Sequence, residues 1–127
     1  MKKIIIDTNF LLIPGQFKID IFSEIRRISD FPFSLLVFDK TIDELKMIIK
    51  RQKGRQKQAA NLGLQLLKRK DLKIIPTKAE KSVDSLILEI ADKNTVVATQ
   101  DAALKNALRK KGIAIITMRA KRHLVIV

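Results

Sequence analysis

The residues best suited to chemistry in this chain are four acids, Asp7, Glu44, Asp84 and Asp101. Each has a structural role open to it alone. Asp7, beside Thr8 and Asn9, can start a loop through its own side chain. Glu44 lies three residues after Thr41, the spacing of a capping box with Thr41 as N-cap. Asp84 stands in the first turn of a predicted helix, where the dipole favours a carboxylate. Asp101 can cap a helix over 102–110. Their joint placement carries more weight. All four stand near the C-terminal ends of predicted strands or in the first turn of the helix that follows. Carboxylates gathered there repel one another, and desolvation raises their pKa values further. A divalent cation removes that cost. A set of oxygen donors suits Mg²⁺ or Mn²⁺, with several waters retained. An ion so held can bind a phosphate oxygen, lower the pKa of a bound water and stabilise a leaving oxygen.

Other chemistries find little support. The chain has no cysteine, which excludes disulfides, thiolate metal sites and cysteine nucleophiles. Its four glycines form neither G-x-G-x-x-G nor G-x-x-x-x-G-K-[ST], so no phosphate-cradling loop is present. The single histidine, His123, stands beside Arg122 near the C-terminus. No nucleophile elbow accompanies it, and it reads as a surface or strand-end residue. Phenylalanines lie at 10, 17, 22, 31, 33 and 38. They read as core, although Phe10 and Phe17 fall in a predicted loop and could meet RNA bases.

The elements that must position the acids alternate between strand and helix. A β-branched run over 2–6 reads as a buried strand ending at Asp7. Pro14-Gly15 marks a turn. Ile19, Phe22, Ile25 and Ile28 recur at helical spacing, with Arg26 and Arg27 on the other face. Residues 34–38 form a second strand, and Ile42, Leu45, Ile48 and Ile49 give the next helix its apolar stripe. The basic segment 50–58 around Gly54 reads as a loop or a frayed helix end. Ala59, Ala60, Leu62, Gly63, Leu66 and Leu67 make a further helical face. Residues 73–75 form a strand stopped by Pro76, and Ser82 caps a helix carrying Leu86, Ile87 and Ile90. Strands follow over 95–99 and 113–117, with a last one at 124–127, and Gly112 ends the intervening helix. Such alternation predicts a parallel sheet with helices on both faces. Ligands in such folds sit beyond the C-terminal strand ends, where Asp7 and Asp101 stand.

The length fits one compact domain over residues 1–127, and 46% apolar residues suffice for its core. The basic start is followed by an apolar run of only three residues, too short for a signal peptide. No stretch approaches the roughly 18 apolar residues of a membrane span. The chain therefore reads as soluble and cytoplasmic, without a membrane partner. Its net charge is +13, from 26 basic and 13 acidic side chains. The excess is uneven. Residues 40–73 hold eleven basic and three acidic side chains, and residues 105–122 hold seven basic and no acidic ones. Two basic blocks of this kind point to a nucleic acid. Lys50, Arg51, Lys53, Arg55 and Lys57 in the first, with Arg109, Arg119, Lys121 and Arg122 in the second, are the candidates for holding RNA.

With these residues in place, the chain resembles a PIN domain. The resemblance rests on Ile4-Ile5-Ile6-Asp7-Thr8-Asn9, on Thr41-Ile42-Asp43-Glu44-Leu45 and on Asp84-Ser85-Leu86-Ile87-Leu88. It continues in Val96-Val97-Ala98-Thr99-Gln100-Asp101, followed by Leu104-Lys105 and Leu108-Arg109. The chain is most similar to the PIN nucleases that process small-subunit ribosomal RNA and to their archaeal relatives. The resemblance implies a three-layer α/β/α sandwich around a parallel sheet of strand order 3-2-1-4-5. It implies a Mg²⁺- or Mn²⁺-dependent endoribonuclease acting on rRNA or structured RNA. Asp7, Glu44, Asp84 and Asp101 would be its catalytic metal ligands, supported by Thr8, Asn9 or Thr99. Motif and helix phase favour Glu44 over Asp43, which lies about 100° away around the helix. The resemblance also implies a capacity for homodimers, and some members are toxins paired with antitoxins. The rRNA-processing relatives often carry two adjacent acids where this chain has Asp84-Ser85. That departure leaves open a non-catalytic RNA-binding scaffold, and a toxin ribonuclease is the other alternative.

Overall fold

Ile4, Ile5 and Ile6 are buried on both faces of strand β1 (Lys2–Ile6), as a central parallel strand requires. The computed structural model of the chain describes residues 1–69, 71–77 and 80–127. In it β1 pairs in parallel with β2 (Phe33–Phe38) on one side and β4 (Thr95–Ala98) on the other. Parallel pairing continues outward to β3 (Lys73–Ile75) and to β5 (Ala114–Arg119). The order is β3-β2-β1-β4-β5-β6, which contains the expected 3-2-1-4-5 arrangement.

The sixth strand, β6 (His123–Ile126), runs antiparallel to β5, with Met118 opposite Leu124. The sheet is therefore mixed at one edge. Only residues 120–122 join the two strands, too few for a crossover that a parallel partner needs. Ala120 and Lys121 make the reversal at positive φ, 57° and 54°. The outer edge of β6 is covered by helix α2 (Ile21–Ile28). Glu24 Oε1 accepts from the Leu124 amide at 3.0 Å, and Arg27 Nη2 donates to the Leu124 carbonyl at 3.1 Å. The two side chains also pair with each other, Arg27 Nε to Glu24 Oε2 at 2.8 Å.

Alternation along the strands sorts the core into two layers. Ile4, Ile6, Val37, Val96, Ala98 and Ile116 face one side. Covering them are a 3₁₀ turn (Thr8–Leu12), α1 (Ile13–Phe17), α2, α3 (Asp39–Arg51) and α4 (Gly54–Arg69). Ile5, Leu36, Phe38, Val97 and Ile115 face the other side, under α5 (Val83–Ile90) and α6 (Ala102–Lys110). This is the α/β/α sandwich. Among the described residues no helix is long and apolar enough to cross a membrane.

Several local expectations change. Pro14-Gly15 does not turn the chain but lies within α1, whose first turn accepts proline because that amide needs no helical partner. Helix α3 begins at Asp39, directly after β2, so Thr41 is inside it and Glu44 is not at N3. The capping box is not formed. Asp39 instead accepts from the Thr77 hydroxyl at 2.6 Å and amide at 3.1 Å, tying the end of β3 to the start of α3. The basic segment 50–58 is mostly helical, since only Gln52 and Lys53 separate α3 from α4. Gly54 opens α4 at φ 63°, a conformation glycine adopts without steric cost. Phe10 is fully buried, in keeping with its reading as core, and so offers no face to RNA. Leu62 is 37% exposed and leaves the buried face formed by Ala59, Ala60, Gly63 and Leu67. Gly63 lets α4 approach the 3₁₀ turn closely: a Cβ there would lie 2.6 Å from the Leu11 carbonyl oxygen.

Candidate active site

The chain winds outward from β1 to β3, then returns to β4 beside β1 and continues the other way. The switch between the two halves leaves a crevice beyond the C-terminal ends of β1 and β4. Asp7 follows β1 and Asp101 N-caps α6 after β4, so both stand at that crevice. Glu44 comes from α3 and Asp84 from the first turn of α5. All four, with Asp43, line one cavity of about 460 Å³. Thr8, Asn9, Leu12, Met47 and Ile48 complete its wall, and no Lys or Arg is among the lining residues.

Asp7 is the anchor of the cluster and is almost wholly buried. Its Oδ1 accepts from the Thr8 amide at 2.8 Å, and its Oδ2 accepts from the Thr99 hydroxyl at 2.7 Å. Burial pushes its pKa up to about 6, with smaller contributions from the charges of Asp84 and Glu44. The two hydrogen bonds oppose that rise but do not cancel it. Thr99 also takes the Asp101 amide on its hydroxyl oxygen at 3.1 Å. Asp101 Oδ1 accepts from the Leu104 amide at 2.7 Å, the ordinary cap bond. Thr8 donates to Glu44 Oε1, and its hydroxyl lies 3.1 Å from that of buried Thr41. Asn9 accepts from the Gln100 amide at 3.3 Å. Thr8, Asn9 and Thr99 therefore brace acids and backbone around the cavity.

Three residues at this edge hold places that the sequence reading does not give them. Asp43 lines the cavity beside Glu44. The signal available was the pair of i, i+4 rows 43/47 and 44/48, both of which reach the same wall. Thr41, whose spacing predicts an N-cap, is instead a buried support for Thr8. Gln100 Oε1 accepts from the Thr117 hydroxyl and the Met118 amide, each at 2.8 Å, and so fixes the loop before Asp101 to β5. It stands in the Thr99-Gln100-Asp101 stretch, but nothing there singles out its side chain. Ser85 is spent on the helix cap, where its amide and hydroxyl meet Ser82 at 3.3 and 3.0 Å.

The donor set fits a divalent cation by chemistry. It is all oxygen, it carries several negative charges, and no cation of the protein lines it. The raised Asp7 pKa is chiefly the cost of burying a carboxylate, to which the neighbouring charges of Asp84 and Glu44 add a smaller part. Among the described residues no three acids are already close enough to close on one ion. Glu44 and Asp84 are exposed at the rim, Glu44 with its carboxylate on the Thr8 hydroxyl.

The basic candidates surround this cavity unequally. Lys50 and Arg51 end α3 within one turn of cavity-lining Met47 and Ile48, Lys53 stands in the junction, and Arg55 and Lys57 follow at the start of α4. Arg119, Lys121 and Arg122 cluster at the turn after β5, on the edge of the sheet that bears the acids. Arg109 lies eight residues beyond Asp101 on α6, about 12 Å along its axis, and faces solvent away from the cavity.

A parallel sheet of this order, with acids at its switch point, defines a PIN-like architecture. The chain belongs to the PIN-like domain family, whose model matches residues 4–121. It is similar to Ribonuclease VapC4 of Methanocaldococcus jannaschii, with 34% identity across 97% of this chain and 95% of that protein. A solved structure of the PIN domain endonuclease Utp24 covers 98% of this chain and 90% of its own, with TM-score 0.78 and 26% identity. A domain of a functionally unknown protein from Methanocaldococcus jannaschii shares the fold at TM-score 0.62 and 17% identity, covering 94% of this chain and 93% of its own.

Proposed function

We propose that this protein is a divalent-metal-dependent endoribonuclease that hydrolyses RNA phosphodiester bonds at the acidic cavity. The observation that carries the reading is the convergence of Asp7, Glu44, Asp84 and Asp101 on one crevice without a basic partner in its wall. Membership of the PIN-like family and similarity to a ribonuclease and an endonuclease support it.

Asp7 and Asp101 would hold a Mg²⁺ or Mn²⁺ ion from the rigid strand ends, with Glu44 and Asp84 closing from the helices. An ion bound there supplies Lewis acidity for the phosphate and lowers the pKa of a bound water. Thr99 and the Thr8 amide keep the Asp7 carboxylate oriented. The basic surfaces at the α3–α4 junction and the β5–β6 turn would hold flanking phosphates, since the acids themselves repel RNA. Processing of rRNA or RNA quality control in the cytoplasm is the role this reading favours.

The test is incubation of the purified protein with structured RNA in Mn²⁺, with and without EDTA. Cleavage that EDTA stops, and that Asp7→Asn and Asp101→Asn each reduce at least a hundredfold, is expected. Equal cleavage by either variant would overturn the reading. A toxin ribonuclease is a second reading, favoured by the similarity to VapC4. Growth arrest on expression, relieved by a co-expressed neighbouring reading frame, would support it; unimpaired growth would count against it.

A further inference from the structure

A second cavity of about 610 Å³ opens between α1 and the start of α4. Its wall includes Gln16, Phe17, Lys18, Arg55, Gln56 and Gln58, with no acidic residue. Gln16 Nε2 donates to Gln56 Oε1 at 3.2 Å. That bond fixes the two amides side by side. It leaves the Gln16 carbonyl as an acceptor and the Gln56 amide nitrogen as a donor, neither with a protein partner among the described residues. Neither Lys18 nor Arg55 is in an ion pair among the described residues.

The wall is open to solvent and basic. It offers an acceptor beside a donor, an aromatic ring and two unpaired cations. The pairing edge of an unpaired base presents adjacent donors and acceptors of that kind. Bases stack on aromatic rings, and phosphates meet Lys and Arg. The cavity is also preformed. Gly15 brings α1 against α4 so closely that a Cβ would lie 2.6 Å from Ala59 Cα. A preformed site loses less ordering free energy when it binds.

Its position supplies the rest. Leu12 lines the acidic cavity, and α1 leads directly from it to Gln16 and Phe17. Ile48 lines the acidic cavity as well, and the α3–α4 junction leads from it to Arg55 and Gln56. The same two stretches of chain, residues 12–16 and 48–56, thus supply wall to both cavities. Leu12 and Gln16 are four residues apart, about 6 Å along a helix, which one or two nucleotides of a strand span at roughly 3.4 Å or more each. We propose that the α1–α4 cavity is a subsite for the nucleotide next to the scissile phosphate, which reads the edge of an unpaired base through Gln16 and Gln56. This rests on the ribonuclease reading.

The experiment titrates the full chain, in EDTA, with a fluorescein-labelled single-stranded RNA octamer and with the same octamer as a blunt duplex. The double variant Gln16→Ala/Gln56→Ala is expected to bind the single strand about fivefold to tenfold more weakly, with an unchanged salt slope. Its duplex affinity should stay at the wild-type value. Arg55→Gln is expected to lower the magnitude of the single-strand salt slope by about 0.7. The side-chain amide NMR signals of Gln16 and Gln56 should move when the octamer is added. Wild-type single-strand affinity in the double variant, or NMR shifts confined to the β5–β6 turn, would overturn the subsite. Cleavage is assayed separately in Mn²⁺. Weakened binding by the double variant with no cleavage by wild type would sink the nuclease reading and keep a nucleotide-binding cavity. Asp7-dependent cleavage with unchanged binding would do the reverse.

Discussion

The Thr99 hydroxyl donates to Asp7 Oδ2 at 2.7 Å, joining side chains 92 residues apart in the chain. The same hydroxyl oxygen accepts the Asp101 amide, so one side chain sets the relative position of two acids on different strands. Thr99→Val keeps the shape and removes both bonds. Its affinity for Mn²⁺ is expected to fall about 10- to 100-fold, and the Asp7 pKa to climb further because a bond that lowers it is gone. Calorimetric titration with Mn²⁺ measures the first and a carboxyl NMR titration the second. Thr99→Ser should retain most of both.

Asp7 also makes stability depend on pH. Its pKa rises from 3.8 to about 6 on folding, chiefly through burial. Between those values the folded chain keeps a proton that the unfolded chain has released, so stability falls as pH rises through the window. Above about pH 6 the whole cost is felt, of the order of 3 kcal/mol. Asp7→Asn carries no such charge. In EDTA at pH 7.5 it should resist urea better than wild type, and the advantage should disappear below about pH 4. A wild type more stable than Asp7→Asn under those metal-free conditions would sink this account. Adding Mn²⁺ should raise the stability of wild type and leave the variant nearly unchanged.

Close packing behind the site gives a contrast between two glycines. At Gly63 an added Cβ would strike the Leu11 carbonyl oxygen, and that backbone belongs to the turn carrying Thr8. Gly63→Ala should cost about 1–3 kcal/mol and reduce cleavage as well. At Gly54 nothing lies within 4 Å, and only the positive φ of 63° resists substitution. Gly54→Ala should cost about 1–2 kcal/mol and leave cleavage untouched. Urea melts beside an RNA cleavage assay separate the two.

The turn after β5 places Arg119 and Arg122 in solvent on the acid-bearing edge. Arg119→Gln and Arg122→Gln should weaken RNA binding for every sequence tried. The magnitude of the salt slope should fall by about 0.7 for each single-strand phosphate that is no longer neutralised. Arg109→Gln, at the far end of α6, should change neither affinity nor slope. Fluorescence anisotropy across a salt series checks all three.

The fold was legible where residue type and burial agree. Three consecutive isoleucines, β-branched and in a run too short for a helix, favour a strand covered on both faces, which places β1 centrally and Asp7 at its end. The T-Q-D run before α6 places Asp101 in the same way. The start of α3 was illegible because β2 runs into it without a loop. Asp39 is engaged by Thr77, so the usual cap signal appears two residues late, at Thr41. Phe10 reads correctly as core, but the element that carries it does not: the 3₁₀ turn is buried almost all round, leaving no amphipathic period to detect. The second cavity was invisible for a different reason. Gln16 and Gln56 are 40 residues apart, and only the packing of α1 on α4 brings them together.

The Glu24–Arg27 pair on α2 has a consequence beyond its own helix. By occupying the outward amide and carbonyl of Leu124, it denies a foreign strand the points at which hydrogen bonding would begin. The opposite margin is β3, only three residues long and headed by a lysine. A sheet guarded at one flank and too short at the other is a poor template for end-to-end polymerisation. That protection would favour a chain that must stay dispersed while crowded on a polyanion.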